Sequence, residues 1–187
     1  MPSRKLHENK FCYNYGHLRQ ALVIMDKELL DVIKRVHEVF KKRGLTLSVA
    51  ESCTGGLISH YITILPGASN FFEAGVVVYS VEAKKKILGI SPEVISKHGV
   101  VSEKTAKEMA EKVRSLTGTD YSLSTTGNLG PDVLEGKVRG LIYVAASKKG
   151  QTFSKKLRLK GNREGNKEEA SLSALRFLLE VLKQRRT

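Results

Sequence analysis

Three neighbouring residues with hydroxyl or thiol groups, Ser52, Cys53 and Thr54, lie in the run Ala-Glu-Ser-Cys-Thr-Gly-Gly at residues 50–56. An apolar segment precedes the run and an apolar-periodic segment follows it, which predicts a strand, a tight turn and a helix start. The first N–H groups of a helix lack internal partners and favour an anion or a developing oxyanion. The junction therefore suits nucleophilic attack, although helix capping by Ser52 or Thr54 and a glycine turn explain the same residues equally well.

Helices and strands alternate along the chain around this junction. Apolar residues at helical spacing, stopped by Gly44, predict an amphipathic helix from Asp26. Consecutive valines at 76–78 predict a buried strand, and Lys149-Gly150 predicts a hairpin turn. The pattern predicts an α/β fold, a three-layer α/β/α sandwich with a mixed sheet. Strands are expected at 45–50, 72–79, 121–126, 138–147 and 152–159, and further helices at 55–65, at 84–88, from Pro92, at 103–116 and at 165–184.

The length of 187 residues fits one domain with a real hydrophobic core. The sequence has no apolar run near the ~20 residues of a membrane span and no signal-peptide pattern at its start, so a cytoplasmic protein is expected. Cys12 and Cys53 lack metal-ligand spacing and are expected to stay reduced, with Cys53 a buried or site-lining thiol before a nucleophile. No metal-ligand cluster is visible, so metal-independent activity without a cofactor is expected.

The formal net charge of +13 raises the possibility of binding nucleic acid or anionic lipid. The basic residues are spread along the chain, and no basic motif with interleaved aromatic residues is present, so specific nucleic-acid binding is not expected. The same charge would attract a phosphorylated metabolite. Residues 1–24 lack a clear period and are expected to form a flexible, dispensable extension before a domain at 25–187.

Several motifs, in one order, carry a resemblance over roughly Met25 to Leu182. The run at residues 50–56 resembles the signature of the C-terminal domain of the CinA (competence/damage-inducible) proteins, the family of nicotinamide mononucleotide deamidases. A set of separate motifs in one order is far more specific than any single motif. The others are Pro66-Gly67-Ala68-Ser69, Tyr79-Ser80-Val81-Glu82-Ala83-Lys84, Leu88-Gly89, His98-Gly99-Val100-Val101-Ser102-Glu103, Thr126-Gly127-Asn128-Leu129-Gly130-Pro131 and Gly161-Asn162-Arg163.

The resemblance implies an amidohydrolase that converts nicotinamide mononucleotide to nicotinate mononucleotide and ammonia in NAD salvage, and it implies a homodimer. Such a reaction needs a nucleophile, a base, oxyanion donors and a cation for the phosphate. Ser52 is the candidate nucleophile. Lys84, at the matching place of its motif, is the candidate base if burial or the neighbouring Lys85 and Lys86 lower its pKa. The alternative is that these lysines form a solvated helix face.

The remaining candidates each have a functional and a structural interpretation. Thr54 and the backbone of Gly55 and Gly56 are candidates for oxyanion or substrate contacts. Glu51 is also a candidate substrate-binding residue; it either orients Lys84 or Ser52, or caps backbone N–H groups.

Four candidate residues lie further along the chain. Thr126 and Gly127 would cradle the ribose or ring, or form an ordinary turn. Tyr79 would bind substrate or pack in the core. Arg163 is the candidate for phosphate because its guanidinium fork suits phosphate geometry, unless it pairs with Glu164.

The chain departs from the family pattern on loops expected to contact substrate, while Ser52 and Lys84 are intact. The alternative hypothesis is therefore a non-catalytic or altered-specificity homologue that binds a phosphorylated ligand or nucleic acid. Because the 187 residues contain no counterpart of the family's N-terminal molybdopterin-binding-like domain, a stand-alone deamidase-type chain is expected. The departures are Val81 for asparagine, Asn128-Leu129 for isoleucine-alanine, Asn162 for aspartate, and Asp132-Val133 for the glycine pair usually found after Gly-Pro.

Overall fold

The structure, a computed structural model, describes residues 27–184. The predictions for residues 1–24 lie outside the described residues. Within them the chain forms six α-helices and five β-strands. In chain order these are α1 (Lys27–Arg43), β1 (Leu47–Glu51), α2 (Leu57–Thr63), a 3₁₀ turn (Ala68–Asn70), β2 (Phe72–Val77), α3 (Val81–Leu88), α4 (Pro92–His98), α5 (Glu103–Thr117), β3 (Tyr121–Gly127), β4 (Leu141–Lys148), β5 (Gln151–Arg158) and α6 (Arg163–Lys183).

The five strands form one mixed sheet in the order β2-β1-β3-β4-β5. Strand β1 runs parallel to both β2 and β3, whereas β4 is antiparallel to β3 and to β5. Glu51 at the end of β1 is in register with Val77 at the end of β2 and with Thr125 in β3. The carboxyl ends of the three parallel strands therefore meet at one edge of the sheet.

Helices cover both faces of the sheet, which confirms the predicted three-layer α/β/α architecture. Helices α1, α2 and α6 pack together on one face over the larger core, which includes Phe40, Leu123 and Leu175. Helices α3, α4 and α5 lie on the other face, where Leu88 and Met109 belong to a smaller core. No helix within residues 27–184 combines the length and the apolar character that a bilayer span requires.

Strand β1 lies at the point where the connections between neighbouring parallel strands switch from one face of the sheet to the other. The β1–β2 connection carries α2 on one face, and the β2–β3 connection carries α3 to α5 on the other. In open α/β sheets a crevice forms outside the carboxyl ends of the strands at such a point, and ligands bind there. Strand β5 ends and α6 begins at the same edge, because β5 runs parallel to β3.

Two predicted elements differ from the structure for clear reasons. Helix α2 begins at Leu57 rather than at residue 55, because Gly55 and Gly56 have φ angles of +57° and +97°. The strand predicted at 72–79 is present as β2, but the prediction that it is buried is wrong: β2 is an edge strand that ends at Val77 and alternates between half-buried and exposed residues. Consecutive valines do not distinguish an edge strand from a central one, because only the sheet order sets that difference.

The other boundary changes follow from side-chain and backbone hydrogen bonds. Helix α6 begins at Arg163 rather than at residue 165, because the Asn162 side chain accepts a hydrogen bond from Gly165 N and caps the helix. Strand β4 begins at Leu141 rather than at Val138, which is exposed in the preceding loop. The predicted hairpin at Lys149-Gly150 is confirmed.

Candidate active site

Ser52 and Lys84 form a buried pair at the carboxyl edge of the sheet. Ser52 directly follows β1, and its N–H donates to the Thr125 carbonyl at 3.1 Å. The Lys84 Nζ atom lies 2.9 Å from Ser52 Oγ. Ser52 is 7% exposed and Lys84 is 2% exposed. The two residues proposed as nucleophile and base are therefore in direct hydrogen-bond contact, although they are 32 residues apart in sequence.

Two backbone carbonyls complete the surroundings of the Lys84 amine. Nζ lies 2.9 Å from Val78 O and 3.3 Å from Tyr79 O, both just after β2. A protonated ammonium would donate one N–H group to each of the three oxygens. A neutral amine would keep the two carbonyl contacts and accept the Ser52 hydroxyl proton with its lone pair. The site is therefore arranged so that loss of one proton turns Lys84 from a donor into a base for Ser52.

Burial lowers the pKa of Lys84 from its ordinary value of 10.5 to about 8. The neighbouring Lys85 and Lys86, which the sequence offered as an alternative cause, are not the source, and Lys85 pairs with Glu82 at 3.2 Å on the surface. A lysine in an unfolded chain keeps its higher pKa, so the charged form of Lys84 opposes folding at neutral pH. The resulting loss in the free energy of unfolding becomes smaller as the pH rises from about 8 towards 10.5.

Helix α3, which carries Lys84, has well-defined ends that fix its position in the chain. The Ser80 hydroxyl caps its first turn by accepting from Ala83 N at 3.0 Å, and Gly89 closes it with a φ of +66°. The buried residues of the helix are Lys84 and Leu88. They are four residues apart and share the face that packs on the sheet. The interpretation of Lys84 as part of a solvated helix face is therefore wrong.

Glu51 acts as the cap of helix α2. Its fully buried carboxylate accepts from the backbone N–H groups of Gly56, Ile58 and Ser59 at 2.9, 3.1 and 2.8 Å, and from the Ser59 hydroxyl at 2.7 Å. The capping alternative is thus the correct one, and the expected substrate contact is replaced by a positioning role. Glu51 fixes the turn that carries Ser52 to the start of α2.

The expected oxyanion donors at Gly55 and Gly56 are already engaged. Gly55 N donates to Ser52 O at 3.1 Å, and Gly56 N donates to Glu51. The Thr54 hydroxyl is fully buried and hydrogen-bonds to the Thr125 hydroxyl at 2.7 Å, so it ties the turn after β1 to β3. In the structure these three groups hold the turn itself through these hydrogen bonds.

The predicted Thr126-Gly127 contact also has a structural explanation. The Thr126 hydroxyl is buried and donates to Val100 O at 2.7 Å, which ties β3 to the chain before α5. A Cβ atom at Gly127 would lie 2.7 Å from Leu141 O and 2.8 Å from Ile142 Cα on the adjacent strand. The absence of a side chain at Gly127 therefore lets β4 approach β3.

Gly127→Ala is expected to lower the free energy of unfolding by about 1–3 kcal/mol, since the added methyl group would meet backbone rather than a flexible side chain. Urea denaturation followed by circular dichroism measures the change. An unfolding midpoint equal to that of the wild type would contradict the close strand approach.

Arg163 connects the ends of two strands. Its Nη1 donates to Gly130 O at 2.6 Å, and its Nη2 donates to the Tyr79 hydroxyl at 2.7 Å. These contacts replace the alternative pairing of Arg163 with Glu164. Tyr79 is 59% exposed at the site, so the alternative that it packs in the core is wrong. Both residues therefore lie at the crevice with polar groups accessible to a ligand.

Several supporting residues lie outside the predicted set. Thr125 contacts the site through its carbonyl and hydroxyl groups. Asn166 is buried, and its side-chain amide bonds to Leu129 O at 3.0 Å and to both the N–H and the carbonyl of Gly161. The sequence signal for Asn166 is a polar residue four positions before the buried Ala170 of α6.

The departures from the family pattern at Asn128 and Asn162 have structural roles. The buried Asn128 side chain bonds to the carbonyls of Leu134 and Lys137 and accepts from Leu134 N, so it fastens the loop between β3 and β4. Asn162 caps α6, a role that aspartate performs equally well. Asn128 therefore stabilises the loop between β3 and β4, and Asn162 stabilises the start of α6.

Cys53 is not a competing nucleophile. Burial raises the pKa of its thiol to about 12, so the thiolate is scarce at neutral pH. Across residues 27–184, no cluster of three or more His, Cys, Asp or Glu side chains is placed to hold a metal ion. The reactive groups that the described residues bring together are thus the Ser52 hydroxyl and the Lys84 amine.

The fold and the site together define an α/β protein with a buried serine–lysine pair at the carboxyl edge of its parallel strands. The chain matches the CinA C-terminal domain family over residues 30–182 and belongs to that family. It is 44% identical over 169 residues to a protein of Caldanaerobacter subterraneus whose provisional name is competence-damage inducible protein. That match covers 90% of the chain and 40% of the relative. The chain thus spans about two fifths of the length of the curated relatives it matches.

Solved structures of the family share the fold. The competence damage-inducible protein A of Klebsiella pneumoniae superposes with a TM-score of 0.82 at 31% identity, over 84% of this chain and 99% of that one. A CinA superfamily protein of Escherichia coli gives a TM-score of 0.81 at 30% identity, over 84% and 93% of the two chains. The resemblance found in the sequence motifs is confirmed.

Proposed function

We propose that this chain is an amidohydrolase that converts nicotinamide mononucleotide to nicotinate mononucleotide and ammonia, with Ser52 as nucleophile and Lys84 as general base. The observation that carries the proposal is the buried 2.9 Å contact between Lys84 Nζ and Ser52 Oγ. A second observation supports it: the pKa of Lys84 near 8 makes a neutral amine accessible close to physiological pH.

In the proposed reaction the proton and the acyl group move between these two side chains and the substrate. Neutral Lys84 takes the Ser52 proton as Oγ attacks the carboxamide carbon. The tetrahedral intermediate collapses, the C–N bond breaks, and Lys84 returns the proton to the leaving nitrogen, which departs as ammonia. Water then attacks the ester with Lys84 again as base, and Ser52 recovers its proton as nicotinate mononucleotide leaves. The net reaction consumes one water and needs no redox step.

The developing oxyanion requires donors other than Gly55 and Gly56. The backbone N–H groups of Cys53 and Thr54 lie in the turn directly after the nucleophile, and among the described residues neither donates to a backbone carbonyl. The N–H of the residue after a nucleophile is a common oxyanion donor. We assign this role to the Cys53–Thr54 backbone and the substrate phosphate to Arg163.

The test is release of ammonia from nicotinamide mononucleotide by the purified chain, measured by a coupled enzyme assay. Steady production of ammonia with an equal amount of nicotinate mononucleotide is the expected result. Binding of nicotinamide mononucleotide without turnover would contradict the enzymatic proposal and favour a ligand-binding homologue.

A further inference from the structure

Lys167 lies one turn beyond Arg163 on α6. Residues four apart project from the same helix face, so both cations are on the side of α6 that meets the carboxyl edge of the sheet. A Cβ atom at Gly55 would lie 3.5 Å from Lys167 Nζ. The Lys167 ammonium is therefore directly over the turn that follows Ser52. Arg163, in turn, contacts Tyr79 after β2 and Gly130 after β3.

The charge of Lys167 has no acidic partner in the part of the chain that the structure describes. Ion pairs there join other lysines and arginines to glutamates, and the side-chain hydrogen bonds do not include Lys167 Nζ. The side chain is half-buried. Glu51, the acidic residue nearest in sequence to Gly55, gives its carboxylate to the α2 backbone. A lysine that lies against the turn after Ser52, with no acceptor for its three N–H groups among residues 27–184, is suited to an anionic ligand.

Arg163 also retains donors. A guanidinium has five N–H groups, and the contacts to Gly130 and Tyr79 use two of them. Two cations with spare donors thus lie on one face of α6, above the ends of the three parallel strands. This arrangement matches a phosphate monoester, which carries nearly two negative charges and three acceptor oxygens.

We propose that Lys167 and Arg163 together form the subsite for the phosphate group of the substrate. Of the two residues, Lys167 lies next to the turn that follows Ser52. The inference rests on the proposed function for the identity of the substrate. It makes the site selective for a phosphorylated amide over the same amide without phosphate, and it gives Lys167 a role in binding rather than in bond cleavage.

The test measures equilibrium binding by calorimetry in the Ser52→Ala protein, where bound substrate is not consumed. Nicotinamide mononucleotide and nicotinamide riboside, which differ by the phosphate, are titrated into this protein with and without Lys167→Met. The affinity for the mononucleotide is expected to fall about tenfold, as for loss of one charge-assisted hydrogen bond, and the affinity for the riboside to change less than about twofold. Lys167→Arg should restore most of the loss. Lys183→Met, an exposed lysine at the far end of α6, is the matched control and should leave both affinities unchanged.

The outcomes separate this inference from the proposed function. Equal changes for mononucleotide and riboside, or no change for either, would overturn the role of Lys167 even if the wild-type protein releases ammonia. Conversely, the binding experiment could show a phosphate preference that depends on Lys167 while the wild-type protein releases no ammonia. That result would support the subsite and contradict the enzymatic proposal.

Discussion

Ser52→Ala, Lys84→Ala and the double variant are expected to have nearly the same residual activity on nicotinamide mononucleotide, at least about 10³-fold below the wild type. The physical reason is that the nucleophile and its base act as one unit. The Ser52 hydroxyl is a weak nucleophile without a group to take its proton, and Lys84 has no function in bond cleavage without Ser52. Removal of the second residue therefore costs little once the first is gone.

Lys84→Arg separates a base from a binding cation. Arginine keeps the positive charge but does not deprotonate in proteins, so this variant is expected to be as inactive as Lys84→Ala. Lys85→Ala is the matched control on the same helix, since Lys85 pairs with Glu82 at the surface, and it should retain wild-type turnover. Losses that multiply in the Ser52/Lys84 double variant, together with activity in Lys84→Arg, would show that Lys84 binds substrate instead of activating Ser52.

Glu51→Ala is expected to lower the free energy of unfolding by about 3–4 kcal/mol, a large effect for one substitution. The Glu51 carboxylate accepts four hydrogen bonds in a fully buried position, and its removal leaves the N–H groups of Gly56, Ile58 and Ser59 without their acceptor. Chemical denaturation measures the change. Catalysis should fall as well, because the same bonds fix the turn after Ser52.

Two companion variants show whether the loss comes from the capping bonds. Glu51→Gln keeps one acceptor oxygen but turns an NH₂ group towards backbone donors, so an intermediate loss is expected. Glu38→Ala, at an exposed position of α1, should stay within about 0.5 kcal/mol of the wild type. A loss below about 1 kcal/mol for Glu51→Ala would contradict the capping role.

The order of elements could be predicted from the sequence because their ends are marked by local chemistry. Gly44, Gly89 and Ser102 stand at helix ends in the structure, as their types indicate, whereas the Ser80 cap starts α3 at Val81 and not at the expected residue 84. The position of β2 at the sheet edge could not be predicted, because strand order depends on long-range pairing. The alternation of strands and helices, together with the hairpin, predicted the mixed-sheet architecture, whereas the family resemblance supplied the pairing of Ser52 with Lys84.

The roles of the residues around the pair depend on contacts between distant parts of the chain. Glu51 precedes a glycine turn, so the sequence allows its carboxylate either to cap the following helix or to bind substrate. The choice depends on where the first N–H groups of that helix point, which only the structure shows. The Thr126 hydroxyl donates to Val100 O in the chain before α5, a contact between distant residues that the sequence around Thr126 does not reveal. The burial of Lys84, in contrast, follows a pattern visible in the sequence, since it precedes the apolar Leu88 by four residues on a short helix.

The measurement that tests the serine–lysine mechanism most directly is the pH dependence of kcat/KM for nicotinamide mononucleotide, from about pH 6 to about pH 10. This ratio reports the ionisation of the free enzyme, where burial places the pKa of Lys84 near 8. Activity should be low while Lys84 is protonated, rise tenfold per pH unit below the pKa and level off above about pH 8 to 9. A rate that is constant across this range, or that falls as the pH rises through 8, would contradict the assignment of Lys84 as the base.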